Sequence, residues 1–425
     1  MAQHHTTRRS LLAGMAATGL AATASASGSA KNTTTKAAQA TRSTNNAWDA
    51  IVVGAGVFGA WTAHHLQQAG KKTLLVDAHG PANVRASSGG ETRMIRSDYG
   101  ADAVYTKMSN ASLVEWKKLS DQAELPLFHQ SGVLFFFQSM VDYARQSIET
   151  HKRLKLPLEV LDTAALKKGF PQFDFSGVEF GLYEVGFGAL MARRGVQHLV
   201  SNFVKAGGTY RQAEASAPNA DGHSMRVGAR SESADAIIYA CGPWMRTLLP
   251  ELLEDRLFVT RQEVAFAAPP TGSTQFGFGS LPGWADFNDG DLYYGFPDIE
   301  GRGFKIAHDK HGEAFDPNHG NRRTSDEVLA NLRRYMTRRF PALADAPFIG
   351  DRVCQYSNSS NGDFLIDRHP EHKNIIMVGA GSGHGFKHGP EVGRMAAALA
   401  LDESANTLDR FSYKTKATVH KRTVV

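Results

Sequence analysis

Apolar positions recur in two rhythms along this chain, and their order predicts alternating strands and helices. An apolar run enters Ile51-Val-Val-Gly-Ala-Gly-Val-Phe-Gly59 and opens an apparent helix, and Lys72-Thr-Leu-Leu-Val-Asp77 follows as a second strand. Within residues 102–119, Val104, Met108, Leu113, Val114 and Leu119 stand near helical spacing, with Lys and Asp on the other side. Gly132-Val-Leu-Phe-Phe-Phe137 reads as a buried strand, and residues 142–166 as mixed helical. Residues 180–190 alternate glycine with apolar side chains, as irregular backbone beside a ligand does. Residues 195–204 predict a helix, and 234–240 predict an apolar strand leading into Cys241-Gly-Pro-Trp244. Segments 262–266 and 292–307 predict strands of a second sheet.

The first strand, turn, helix and second strand form one unit with a chemical reading. Gly54 permits a tight turn, Gly56 lets the backbone approach a pyrophosphate, and Gly59 lets the helix lie close to the strand. The free N–H groups and positive end of that helix then face the phosphates. Asp77 follows about 20 residues after the glycines, where a ribose-binding carboxylate belongs. This fingerprint serves NAD and FAD alike, so it predicts a dinucleotide without choosing between them.

A chain of 425 residues exceeds the usual single core and predicts two domains. The late strand at 234–240, far from the first unit, makes the nucleotide domain discontinuous. The predicted class is α/β (α+β), with a Rossmann-like domain at 48–130, 187–250 and 346–415 and a mixed antiparallel-sheet substrate domain at 131–186 and 251–345. A net charge of +5, scattered along the chain, gives no reason to expect nucleic acid or membrane as partner. Two cysteines, Cys241 and Cys354, are too few for a disulfide framework.

Residues 1–30 have the pattern of a twin-arginine export signal: Arg8-Arg9, then a short mildly apolar run to Leu20, then Ala24-Ser-Ala26 as a cleavage site. That run is too short to span a membrane, so no stable span is expected after cleavage. Residues 31–47 predict a disordered spacer, and the fold begins near Trp48. The expected destination is the periplasm or the medium.

Seven motifs in order carry a specific resemblance: Gly54-x-Gly56-x-x-Gly59, Gly90-Glu-Thr-Arg93-Met-Ile-Arg96, Tyr293-Tyr-Gly-Phe-Pro297, Gly303-Phe-Lys305, Cys354-Gln-Tyr356, Phe364-Leu-Ile-Asp367 and Gly381-Ser-Gly-His-Gly-Phe-Lys387. The chain from Trp48 onward resembles monomeric sarcosine oxidase, N-methyltryptophan oxidase and fructosyl amino acid oxidase among the D-amino-acid-oxidase-like flavoenzymes. The resemblance selects FAD and implies an oxidase of a secondary amine or N-substituted amino acid, with O2 as acceptor, hydrogen peroxide as product and a monomeric enzyme. A dehydrogenase of the same fold with a quinone or carrier-protein acceptor, or a non-catalytic flavoprotein, would share these motifs.

The resemblance assigns the ADP half of FAD to Gly54, Gly56, Val57, Phe58, Gly59, Asp77 and Ala78. The flavin half falls to Ser87, Thr92, Arg93, Gly381, Gly383, Gly385, Phe386 and Lys387, with Cys354 as a covalent anchor through its sulfur. Arg96 and Lys387 are implied to grip the substrate carboxylate, a task that suits a planar guanidinium and a point-charge ammonium. Lys305 is implied to assist electron transfer to oxygen, with Arg93 beside it, and Tyr294 and Tyr356 to line the catalytic cavity. The sarcosine oxidase pattern has a histidine four residues after the lysine; here Asp309 stands there and His308 one earlier, and both are assigned to the substrate site. His384 reads either as a ligand to flavin or substrate or as a brace for its loop. No spacing suggests a metal.

Overall fold

The strand Trp48–Val53 lies between two parallel neighbours, Arg230–Tyr239 and Thr73–Asp77, at the centre of an eight-stranded sheet. Both faces of this strand are covered, which explains its continuous apolar run in place of an alternating one. Ile375–Gly379 also joins Arg230–Tyr239 in parallel, so strands far apart in sequence close one sheet. This computed structural model describes residues 47–287 and 291–418. The stretch expected to be an export signal and nearly all of the expected spacer lie outside the described residues.

The helix Val57–Gln68 follows the glycine turn, and nearly all of its first two turns is buried. A Cβ on Gly59 would stand 1.8 Å from the Gly54 carbonyl oxygen, so the strand-to-helix corner closes only around glycine. On the facing helix Gly389–Leu401, side chains at Gly389 and Gly393 would strike Val57 and Trp61. Gly59→Ala is expected to cost about 2 kcal/mol or more through overpacking, read as a lower midpoint in urea unfolding of the holoenzyme.

The second sheet also has eight strands, and its order starts Phe348–Ser359, Leu257–Ala267, Phe304–His308, Tyr293–Phe296. It continues through Gly283–Asp286, Val133–Phe137, Phe180–Glu184 and Glu159–Asp162, antiparallel except where Gly283–Asp286 meets Val133–Phe137. A third, three-stranded sheet joins Thr92–Ile95, Gly188–Met191 and Phe128–His129. The described residues lie in a single compact unit that holds these sheets.

The structure departs from the sequence reading in several places. Phe348–Ser359, assigned above to the nucleotide domain, pairs along its length with Leu257–Ala267, from Leu257 opposite Ser359 to Ala267 opposite Phe348. It therefore carries Cys354 and Tyr356 toward the nucleotide from the second sheet. The stretch at 180–190 forms two regular strands, because Gly181 makes room for Leu166 and Leu134, within about 3 Å of where its Cβ would be. Residues 142–166 break into helices Asp142–Leu154 and Thr163–Gly169 around the edge strand Glu159–Asp162.

Candidate functional site

Two cavities meet in the middle of the molecule, and nearly all of the predicted site residues line one or the other. The first, about 650 Å³, runs from the glycine turn to the Gly381–Gly385 loop. Gly54 and Gly56 form its floor, with Val57 and Phe58 at the helix start and Asp77 and Ala78 at the end of the second strand. Ser87, Arg93, Gly381, Gly383, Gly385 and Phe386 line its other end. Gly59 lies outside the cavity and acts through the corner it closes.

Asp77 sits where the acid of the fingerprint is needed. Its Oδ2 accepts from Ala55 N at 2.8 Å, and its Oδ1 accepts from His79 N and Gly80 N at 2.8 Å each. The carboxylate thus braces both turns that border the first cavity. Ser88 Oγ accepts from Val57 N at 3.0 Å, tying the 86–96 loop to the helix N-terminus.

The second cavity, about 560 Å³, shares Arg93, Tyr356, Gly383 and Phe386 with the first. Thr92, Arg96, Tyr294, Lys305, Asp309, Cys354 and Lys387 also face it. Arg93 joins the two: its Nη2 donates to Ser87 O at 2.9 Å and to Cys354 Sγ at 3.4 Å, and its Nη1 to Thr92 O at 2.9 Å. A Cβ on Gly90 would meet that guanidinium at 2.5 Å, which explains the glycine three residues before it. Ser87 Oγ donates to Gln355 O at 2.8 Å, locking the loop to the Cys354 strand.

Lys305 is buried, and its Nζ donates to Thr92 O at 2.9 Å over the Phe296 ring at 5.1 Å. Burial, then the Arg93 charge, push its pKa well below the usual lysine range. Lys387 Nζ donates to His384 O at 3.0 Å, and burial followed by Arg96 holds it well below that range too, while Glu184 and Asp309 pull the other way. Arg96 stacks on Tyr99 at 4.2 Å and Phe135 at 5.2 Å, and its Nη1 is buried with no hydrogen-bond partner among the described residues. A buried guanidinium N–H of this kind calls for an anion in the cavity.

Tyr294 and Tyr356 both line the second cavity, and Tyr356 Oη donates to Asp309 Oδ1 at 3.2 Å. His308 is a correction to the expected site. Alternation along Phe304–His308 turns it to the opposite face, where it stacks on Tyr293 at 4.4 Å and its Nε2 meets Asp291 at 3.1 Å. It lines neither cavity. His384 lines the second cavity but is braced on both sides, by Tyr99 Oη at 3.2 Å and Gly362 O at 3.1 Å.

Sequence reading missed what stands behind Arg96. Glu184 ends its strand at the 97–98 turn and accepts from Ser97 N at 2.9 Å and Ser97 Oγ at 2.5 Å. Burial and this neighbouring carboxylate push the Asp98 carboxyl above its usual range. Burial opposes a charge on His151, but the Glu184 carboxylate 3.6 Å from its Nε2 outweighs that and raises its pKa. Tyr99, three residues past Arg96, was the available signal; Glu184 and His151 gave none, being remote in sequence.

A family model described as "DAO: FAD dependent oxidoreductase" matches residues 49–399. The chain belongs to this family of FAD-dependent oxidoreductases. Monomeric sarcosine oxidase from Bacillus sp. (strain B-0618) is 30% identical over 362 residues, covering 83% of this chain and 92% of that protein. N-methyl-L-tryptophan oxidase from Salmonella heidelberg (strain SL476) is 28% identical over 379 residues, covering 86% and 99%. The structure of L-proline dehydrogenase from P. horikoshii superposes with a TM-score of 0.75 at 18% identity, covering 86% of this chain and 96% of that one, a likeness of fold.

The residues fit FAD. The glycine turn and the start of Val57–Gln68 leave backbone exposed to a pyrophosphate, and Asp77 lies at the ribose end. The first cavity meets the second at Arg93 and Tyr356, so the residues lining the two could hold a flavin and, next to it, a substrate. Among the described residues no cluster of His, Cys, Asp or Glu could hold a metal, and no helix is long and apolar enough to cross a membrane.

Proposed function

We propose that this oxidoreductase oxidises a secondary amine or N-substituted amino acid whose carboxylate is held by Arg96 and Lys387, with O2 as electron acceptor. The observation that carries this reading is the buried, unpartnered Arg96 Nη1 in a chamber that also holds Lys387 and opens toward the nucleotide cavity. The names of the two relatives above, a sarcosine oxidase and an N-methyl-L-tryptophan oxidase, support it through their N-methylated substrates.

FAD held by these residues would supply a two-electron acceptor for the hydrogen on the carbon beside the amine nitrogen, with O2 as final acceptor, so that the products are hydrogen peroxide and an imine that water hydrolyses. The chain's own residues do the rest. Arg96 offers a planar donor pair to one carboxylate while Lys387 adds a second charge, and together they fix where the amine lies. Tyr294 and Tyr356 wall the chamber and keep bulk water from it. Lys305, beside Arg93 and anchored on Thr92, presents positive charge where charge develops on dioxygen. Cys354, held by Arg93, supplies the sulfur for a covalent FAD tether.

Such a tether suits an exported enzyme, since a cofactor loaded before transport is not lost afterwards. The Arg8-Arg9 signal supports this route, and a monomeric enzyme follows the same resemblance.

Anaerobic titration of the yellow holoenzyme with N-methyl and glycated amino acids tests the function. Bleaching by members bearing a free carboxylate is expected; a broad panel with no bleaching overturns it. The low pKa of Lys387 adds a pH dependence. Because a bound anion raises that pKa, binding takes up a proton between the free and bound values, and affinity for a simple carboxylate falls as pH rises through that window. Titration of acetate by flavin difference spectra at stepped pH checks this.

A further inference from the structure

Glu91 immediately precedes Thr92, whose carbonyl oxygen anchors Lys305, and all three line the second cavity. Its carboxylate sits between two arginines: Oε2 accepts from Arg302 Nη1, and Oε1 accepts from Arg352 Nη2 at 2.9 Å. Arg302 stands three residues before Lys305, and Arg352 two residues before Cys354 on the same face of its strand. One carboxylate therefore ties together the three chain segments that carry Thr92, Lys305 and Cys354. The backbone beneath it is fixed as well, since Glu91 O accepts from Ala192 N at 2.7 Å and Gly89 O accepts from Arg193 Nε at 3.0 Å.

The charges around Lys305 give this corner its need for an anion. Arg93 faces it from Thr92–Ile95, Arg352 and Cys354 from Phe348–Ser359, and the Tyr294 ring lies 5.8 Å away on Tyr293–Phe296. Leu257–Ala267 offers only Gln262, Val264 and Phe266 to the cavity, and Asp309 lines it four residues further along Lys305's own strand. After burial, Arg93 and Arg352 work to strip the Lys305 proton, while Cys354 and Glu91 work to keep it. Cys354 can bring negative charge only as a free sulfur. Bonded to the flavin it is neutral, and the Glu91 carboxylate is then what opposes the two guanidiniums. The Glu91 side chain is 18% exposed, so water and salt screen its field only in part.

We infer that Glu91 is a positioning residue for the oxygen half-reaction: it fixes Thr92 under the Lys305 ammonium and supplies negative charge that balances Lys305 and Arg93, while Arg302 and Arg352 hold its carboxylate in place. This deepens, and rests on, the role proposed above for Lys305 toward O2. Glu91 acts through Lys305. Removing its charge makes Lys305 lose its proton at lower pH, and removing the Arg352 charge does the reverse. A merely loosened wall has no reason to produce opposite signs from the two partners of one ion pair.

The test is the pH profile of reoxidation, read on holoenzyme that is reduced photochemically, so that no substrate is needed, and mixed with aerated buffer at stepped pH. Wild type is compared with Glu91→Gln, Glu91→Ser, Glu91→Asp, Arg352→Gln and Lys305→Met, each checked for flavin content. The falling limb that Lys305→Met lacks is expected to move down by about half a pH unit or more in Glu91→Gln and Glu91→Ser. It should stay near the wild-type position in Glu91→Asp, which keeps the charge, and move up by about half a unit in Arg352→Gln. No movement, a shift in Glu91→Asp as large as in Glu91→Gln, or shifts of Glu91→Gln and Arg352→Gln in the same direction overturns the inference while leaving Lys305 its role. A wild-type profile matching that of Lys305→Met removes that role and the inference with it.

Discussion

Replacing Lys305 by methionine is expected to slow reoxidation of the flavin by O2 by about a hundredfold or more, while bleaching by substrate changes less than about tenfold. Methionine keeps the length and apolar stem and removes only the charge. Lys305 is 3% exposed and donates to Thr92 O, so the positive charge stands in a dry, fixed position where it is worth most. Stopped-flow traces of the two half-reactions separate the effects, and equal reoxidation rates in the two proteins would remove the assignment. A second readout follows from the depressed Lys305 pKa. The charged form is lost at lower pH than for a free lysine, so wild-type reoxidation should fall as pH rises through that pKa, and the methionine variant should be flat.

Replacing Cys354 by serine is expected to give an all-or-none result. Wild-type protein precipitated in acid should keep its yellow colour on the polypeptide, and Cys354→Ser should release all of it to the supernatant. The geometry behind this is the Arg93 Nη2 contact to Cys354 Sγ at 3.4 Å, in a half-buried position facing the second cavity. The guanidinium holds the sulfur in place at the border of the two cavities. Colour released from the wild type would end the tether. Retention by the serine variant would move it elsewhere, and Cys241, whose thiol is pushed up by burial and donates to Val53 O at 3.3 Å, is a poor alternative.

The nucleotide half of this molecule was legible because its signals are local. Gly54, Gly56, Gly59 and Asp77 lie within one strand–helix–strand unit, and the turn and helix contacts they need follow from chain geometry alone. The chamber was legible by resemblance only. Arg93, Lys305 and Cys354 come from three separate strands, and nothing in their spacing brings Lys305 to Thr92 or Arg93 to Cys354. Two failures have plain causes. His308 was assigned to the site because the sarcosine oxidase pattern has a histidine one position later, yet neighbours on a strand face opposite ways, and the ring turned to Tyr293. The Cys354 strand was placed in the nucleotide domain because its mixed polar and apolar sequence does not announce its partner; eleven pairings with Leu257–Ala267 did that. Glu184, tied to the turn after Arg96 from 87 residues away, is the kind of support that only the fold reveals.

The fold alone does not choose between oxidase and dehydrogenase, since a proline dehydrogenase shares it. In the proposed reading, Lys305 makes the choice in this chain. The most direct test is to supply an amine that bleaches the holoenzyme, admit air, and measure O2 consumed and peroxide formed per amine oxidised. The account predicts one O2 and one hydrogen peroxide for each turnover, with colour returning at a rate that supports it. Bleaching that persists in air, and is discharged only when a quinone or carrier protein is added, would contradict it.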